Sequence, residues 1–257
     1  MVDQTYRIVL QEPINTDFLF FVFFSTICSY SFHWYLTGDT VLPSERTSWV
    51  KRYRNVHLVL FFVGLAGAGL FFFYLLDYWH WLLLSAGITF LYSAPKIPHP
   101  LFRALRKVAL GKTIFLAMVW MNVTSLLPIL ISEQHWRPDF IFFVISRFFL
   151  IYAICILFDY RDRQDDKTAG IRSLITYLDE KGITLLFSFS LLVFAVTTGI
   201  LYQYGYSVLS ITILLLPGLI TAFLYNYARE NFADMFYYFV LDGLMAFSAI
   251  LFLITGI

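Results

Sequence analysis

Charge is scarce in this chain. Only 14% of its 257 residues are Asp, Glu, Lys or Arg, whereas a soluble domain carries about a quarter. The formal net charge is +1, so no basic surface calls for nucleic acid. Cysteine is nearly absent: Cys28 and Cys155 lie in apolar runs without metal-ligand spacing, as buried small hydrophobes do. The opening stretch MVDQTYRIVLQEPINTD has no basic region followed by an apolar core, so no cleavable signal is expected. No Gly/Ser-rich linker divides the chain and no internal repeat stands out, which predicts one domain over 1–257.

Hydrocarbon takes the place of the missing charge. Apolar residues make up 60% of the chain and aromatics 20%, which points to lipid as the solvent. Spanning the hydrocarbon layer takes about 20 apolar residues, and eight runs approach that: 18–37, 56–76, 78–93, 108–131, 138–158, 183–202, 206–226 and 235–256. The third is short, and its boundary with the second near Asp77 is soft. Only helices and closed barrels satisfy their backbone in lipid. Long runs without strict alternation select helices, so the expected fold is an all-α bundle of about eight spans. Fourteen of the eighteen Lys and Arg residues then fall on one side, between alternate pairs of runs. By the positive-inside rule that side is cytoplasmic, with both ends of the chain opposite and a plasma (inner) membrane location.

Into this apolar background breaks FDYRDRQDDKTAG, residues 158–170. At 100° per residue, Asp159, Asp162 and Asp166 share an arc of about 60° on a helix, while Asp165 points elsewhere. Like charges at these spacings cost a few tenths of a kcal/mol per pair, and more where screening is weak. A cation relieves that cost. Oxygen-only donors suit a hard ion, and Mg²⁺ commonly takes one or two carboxylates plus waters and a substrate phosphate. An EF-hand loop is excluded because Arg161 and Arg163 occupy ligand positions. The alternative is a solvated loop in which Arg161, Arg163, Lys167 and Arg172 neutralise the aspartates pairwise.

The run DYRDRQDDKTAGIRSL resembles the second aspartate-rich motif of the UbiA-type intramembrane prenyltransferases, with Gly170 and Arg172-Ser173-Leu174 at the family's places. The stretch FLYSAPKIPHPLFRALRKVALGK, residues 90–112, resembles the same family's Leu-Tyr-Ser/Thr-x-Pro segment. The resemblance implies a helical bundle around a central cavity, in which Asp159, Asp162 and Asp166 hold Mg²⁺ on an isoprenyl diphosphate. The prenyl chain then passes to a lipophilic, often aromatic, acceptor among membrane lipids. Ionising an allylic diphosphate requires the leaving group to be neutralised by metal and basic side chains. The candidates are Lys96, Arg103, Arg106, Lys107, Lys112 and Arg172, with Lys112 foremost because it enters a span.

The family's first acidic motif has no counterpart here. In its place stands YSFHWYLTGDTVLPSERTSWVKRYRN, residues 30–55, whose only acids are Asp39 and Glu45. Tyr30 and His33 share a helix face there. They are candidates to take the acceptor's proton or to bind diphosphate, or with Trp34 and Tyr35 they form an interfacial aromatic cluster. Arg147 lies some 18 Å of helix rise before Asp159. It either lines the cavity or pairs with Asp242. Tyr92, Tyr225, Tyr227, Tyr237 and Tyr238 can line a tunnel by cation–π attraction or can simply pack. Two rival classes remain: a non-catalytic lipid-binding or assembly protein on the same scaffold, and a transporter with a helix interrupted at Pro217-Gly218.

Overall fold

The computed structural model of the chain describes residues 1–37, 49, 52–97, 99, 102, 111–168 and 173–256. In chain order its helices are α1 (Val2–Gln4), α2 (Thr16–Thr37), α3 (Arg54–Tyr74), α4 (Trp79–Ser93), α5 (Gly111–Met121), α6 (Leu127–Ile131), α7 (Pro138–Thr168), α8 (Leu174–Tyr177), α9 (Glu180–Ile200), α10 (Val208–Glu230) and α11 (Asp242–Thr255). Wider π-helical turns at Thr5–Leu10, Asn122–Leu126 and Phe236–Leu241 continue α1, join α5 to α6, and lead into α11. No strand occurs among the described residues. Seven of the described helical segments are long and apolar enough to cross a membrane. The third expected span is α4, a helix of 15 residues, which rises only about 22 Å. A short 3₁₀ turn, Leu76–Tyr78, breaks the chain between α3 and α4 where the sequence placed a soft boundary.

Two compact units make up the chain. The first comprises Met1–Pro13, Leu110–Lys167 and Ser173–Ile257; the second comprises Ile14–Ala109 and Thr168–Arg172.

In the first unit, α7 is the axis. Leu150, Ile151, Ala153, Ile154 and Ile156 have essentially no exposure, and Phe187, Phe194, Tyr225, Tyr237 and Leu244 pack around them. Outward-facing apolar side chains such as Phe223 (77% exposed) and Ile254 (74%) make sense only with lipid as the surroundings. Pro217 does not interrupt α10, which runs unbroken from Val208 to Glu230. A Cβ at Gly218 would strike the ring of Phe194, so glycine there lets α9 and α10 close up.

The chain's first residues pack into this unit. Val9 and Leu10 are buried, Gln4 Nε2 donates to Ser248 Oγ at 3.1 Å, and Thr5 Oγ1 donates to the Thr124 carbonyl at 2.7 Å. At the same end of this unit, Arg137 bridges the Val9 carbonyl and the Asp139 carboxylate. Tyr206 donates to Asp139 as well, and burial beside that carboxylate pushes its phenol well above the ordinary range, so it stays a donor.

In the second unit, α2 and α3 run antiparallel. Phe20 and Phe24 stack on Phe71 near one end, and Phe32 meets Phe61 near the other. Gly64 makes this possible, because a Cβ there would collide with the α2 backbone at Cys28. The C-terminal end of α4 returns to the C-terminal end of α2, where Ser93 and Lys96 reach His33. Within this unit the chain therefore traverses in alternating directions, as the basic loops required.

Candidate functional site

The acidic segment is not a loop. Residues 159–168 continue α7 as helix, and that helix's 31 residues rise about 46 Å, against a hydrocarbon core of about 30 Å. Its last turns therefore stand clear of the lipid while keeping the span's helical register. That register sets the faces. Asp159 and Asp166 are buried, Asp162 is partly covered, and Asp165 is exposed, as the co-facial arc predicted.

Four helix ends meet the α7 extension. Thr113, in the first turn of α5, donates its hydroxyl to Asp159 Oδ2, so the carboxylate lies against a helix N-terminus whose dipole favours an anion. On another face, Arg161 is nearly buried, with its side chain 8% exposed. It pairs with Asp162 at 2.8 Å, donates to the Tyr238 hydroxyl at 3.0 Å, and lies over the rings of Tyr237 and Tyr238. On a third face, Arg163 donates to Glu180 at 2.6 Å and to the Leu178 carbonyl. Arg229 at the end of α10 also pairs with Glu180, and the Tyr160 hydroxyl joins it at 3.2 Å.

Pairwise neutralisation within the acidic segment is seen at Arg161–Asp162. Arg163, the other described arginine in the segment, serves Glu180 on α9. These contacts clamp the extension between the α9, α10 and α11 ends, and all of them belong to ends carrying the basic residues counted in the sequence.

The carboxylates suit a hard cation within limits. Asp159 and Asp166 are separated by about 10 Å along the helix axis, and no group of three or more His, Cys, Asp or Glu converges for a metal among the described residues. An ion at this face would take one or two neighbouring carboxylates, with Asp162 three or four residues from either side, and would need water and phosphate oxygen as its remaining ligands, as Mg²⁺ commonly does.

Other expected site residues fall into three groups. Lys96, His33 and Tyr92 are brought together in the second unit. Lys96 Nζ lies 2.7 Å from His33 Nε2, His33 Nδ1 lies 3.3 Å from Ser93 Oγ, and Tyr92 stacks on the imidazole with centroids 5.2 Å apart. Tyr30 is on the same helix but 44% exposed. Arg147 is sealed in the first unit at 1% exposure. It reaches Ser146 Oγ, Ser248 Oγ and the Leu214 carbonyl at 3.2–3.4 Å and sits between the rings of Phe143 and Phe194. Its hydrogen-bond partners are these neutral oxygens and not Asp242, the partner offered in the sequence. Arg103, Arg106, Lys107 and Arg172, with Asp39, Glu45 and Gly170, lie outside the described residues, as does the side chain of Lys112.

Among the tyrosines, Tyr225 and Tyr237 are packing residues. Tyr225 stacks on Phe187 and bonds Thr184, and Tyr237 donates to the Ala228 carbonyl. Thr113, Ser93, Glu180 and Arg229 are site neighbours that the sequence reading missed. Their contacts span tens of residues and leave no local pattern.

The fold defines a polytopic integral membrane protein whose longest helix carries a carboxylate face beyond the lipid. Its sequence matches the UbiA prenyltransferase family over residues 37–250, which is most of the chain, and the protein belongs to that family. Membership implies membrane prenyltransferase activity in general, with isoprenyl diphosphates and lipophilic acceptors as the substrate classes. No curated protein and no solved structure matches the chain.

Proposed function

We propose that the protein transfers an isoprenyl group from an isoprenyl diphosphate to a lipophilic acceptor, aromatic ones included, within the membrane, with Mg²⁺ held among Asp159, Asp162 and Asp166. The single observation behind this reading is the α7 extension. It is a rigid continuation of a spanning helix that buries Asp159 and Asp166 on one face and is clamped by Arg161, Arg163 and Arg229. Mg²⁺ held at that face would supply positive charge to the leaving pyrophosphate. The protein's part is to hold the carboxylates in register, to keep bulk water from the carbocation, and to add cations. Lys112 enters α5 one residue before Thr113, the partner of Asp159, and is the first candidate. Lys96, Arg103, Lys107 and Arg172 are the others, and Tyr30 and His33 are assigned to the catalytic end of α2. The charged helix ends face the cytoplasm of a plasma (inner) membrane, as the positive-inside asymmetry supports.

Purified protein with Mg²⁺ should bind an isoprenyl diphosphate, and Asp162→Ala should abolish that binding. Equal binding by both proteins removes the proposal. The missing first acidic motif favours a second reading, a non-catalytic lipid-binding or assembly protein on the same scaffold. Binding without turnover on any lipophilic acceptor would select it.

A further inference from the structure

Tyr238 and Asp242 stand four residues apart, on one side of the chain's last spanning segment, Phe236–Thr255. Tyr238 belongs to the acid end of the first unit, because its hydroxyl accepts from Arg161, the partner of Asp162. Asp242 is the next group inward, less than about 10 Å along the axis from Phe236. It opens α11 directly after the wide turn Phe236–Leu241, and such turns recur at functional sites.

Asp159, Asp162 and Glu180 are each met by a donor. The Asp242 carboxylate has no hydrogen bond or ion pair among the described residues. Its side chain is exposed, yet protein surrounds it on most sides. Deeper on the same face, Ala249 stands within about 20° of Asp242 and is 5% exposed, as is Met245. The face is therefore open at Tyr238 and Asp242 and closed below them. A carboxylate inside a span calls for a partner. Phe158 and Tyr237 pack with Tyr238 as an aromatic wall beside this opening, which favours a flat apolar ligand. A ligand that is flat and apolar and also donates a hydrogen bond to the carboxylate is a phenol.

We propose that Asp242 binds the hydroxyl of a phenolic acceptor and takes its proton during transfer. The inference rests on the prenyl transfer proposed above and deepens it by naming the acceptor class and the base. The allylic C–O bond breaks, and its electron pair leaves on pyrophosphate. A ring carbon of the acceptor supplies the pair for the new C–C bond, and the phenol O–H proton passes to an Asp242 carboxylate oxygen. The resulting dienone becomes the phenol product by moving its ring proton to oxygen. One proton is left on Asp242, and nothing is oxidised or reduced.

The test uses the full chain in nanodiscs of zwitterionic lipid with Mg²⁺, geranyl diphosphate as donor and naphthol as the probe acceptor. Asp242→Asn should lower the single-turnover rate about hundredfold or more, because an amide cannot take the proton. Its affinity for the diphosphate should equal that of the wild type, which also shows that the variant is folded. Asp242→Glu should recover part of the rate. A second readout needs no turnover. Dicyclohexylcarbodiimide in mildly acidic buffer should label Asp242 in the wild type, read by mass spectrometry of the peptide. Naphthol should slow that labelling, and naphthalene, which lacks the hydroxyl, should not.

Equal transfer rates in wild type and Asp242→Asn overturn the base. Labelling that naphthol leaves unchanged, or that naphthalene slows as much, overturns the hydroxyl site. So does a wild type in which Asp242 never labels, the result expected where a partner helix covers it. Hydroxyl-specific protection in a wild type that transfers nothing supports the site while rejecting the prenyl transfer on which the proton step rests.

Discussion

In the first unit, carboxylates ride on the continuation of a membrane helix; in the second, the ends of α2 and α4 carry an ammonium held by an imidazole. The two regions differ in how much structure they need. Co-facial aspartates repel one another by a few tenths of a kcal/mol per pair, so the α7 extension is gripped from several sides by Thr113, Arg161, Arg163 and Arg229. Its helix is correspondingly central, with 67% of its span buried against 6% for α3. In the second unit Lys96 Nζ meets His33 Nε2 and Tyr92 stacks on the imidazole, and the α2–α3 hairpin that carries His33 turns most of its surface outward. The acid face is built into a core, while the imidazole cluster stands on a sparse scaffold.

The comparison can be broken at either end, and the largest effects are expected at the acids. Asp159→Asn and Asp166→Asn should each lower Mg²⁺-dependent binding of an isoprenyl diphosphate by at least about tenfold, read by titration calorimetry. Equal losses with and without Mg²⁺ would show that the acid face does not act through a metal.

Next in size is the α2–α3 contact. Gly64→Val should destabilise the protein by about 1–3 kcal/mol, since a side chain there meets the Cys28 backbone, and thermal melting should show it. The clamp follows. Arg161→Leu leaves Asp162 without its 2.8 Å partner and should cost about 1–3 kcal/mol, with faster hydrogen exchange over residues 159–168. Unchanged exchange would show that the extension does not depend on the clamp. Smallest is Glu180→Gln. Glu180 is half exposed, so losing its pairs with Arg163 and Arg229 should cost no more than about 1 kcal/mol.

Much of this architecture is legible in the residues. The apolar runs at 18–37, 56–76 and 78–93 became α2, α3 and α4 with boundaries within two residues, because a membrane span is read from composition alone. The 100° spacing of Asp159, Asp162 and Asp166 anticipated which of the four aspartates would be covered. Two features escaped. The acidic segment reads as a loop because its composition is polar, yet clamping contacts from three other helices keep it helical. The packing of the first ten residues also gave no signal: Gln4 and Thr5 find partners at Ser248 and Thr124. Such pairings, more than a hundred residues apart in the chain, have no local signature. Thr113 beside Asp159 is invisible for the same reason. The juxtaposition of His33 with Lys96 was equally hidden, although both residues were candidates separately.

The account turns on whether the α7 carboxylates receive a metal together with a diphosphate. Titration of inorganic pyrophosphate into wild type and into a variant with Asp159, Asp162 and Asp166 all changed to Asn, with and without Mg²⁺, decides it most directly. The wild type should gain affinity when Mg²⁺ is added and the triple variant should not, while both keep the same far-UV circular dichroism. The same Mg²⁺-dependent gain in both proteins would contradict the account.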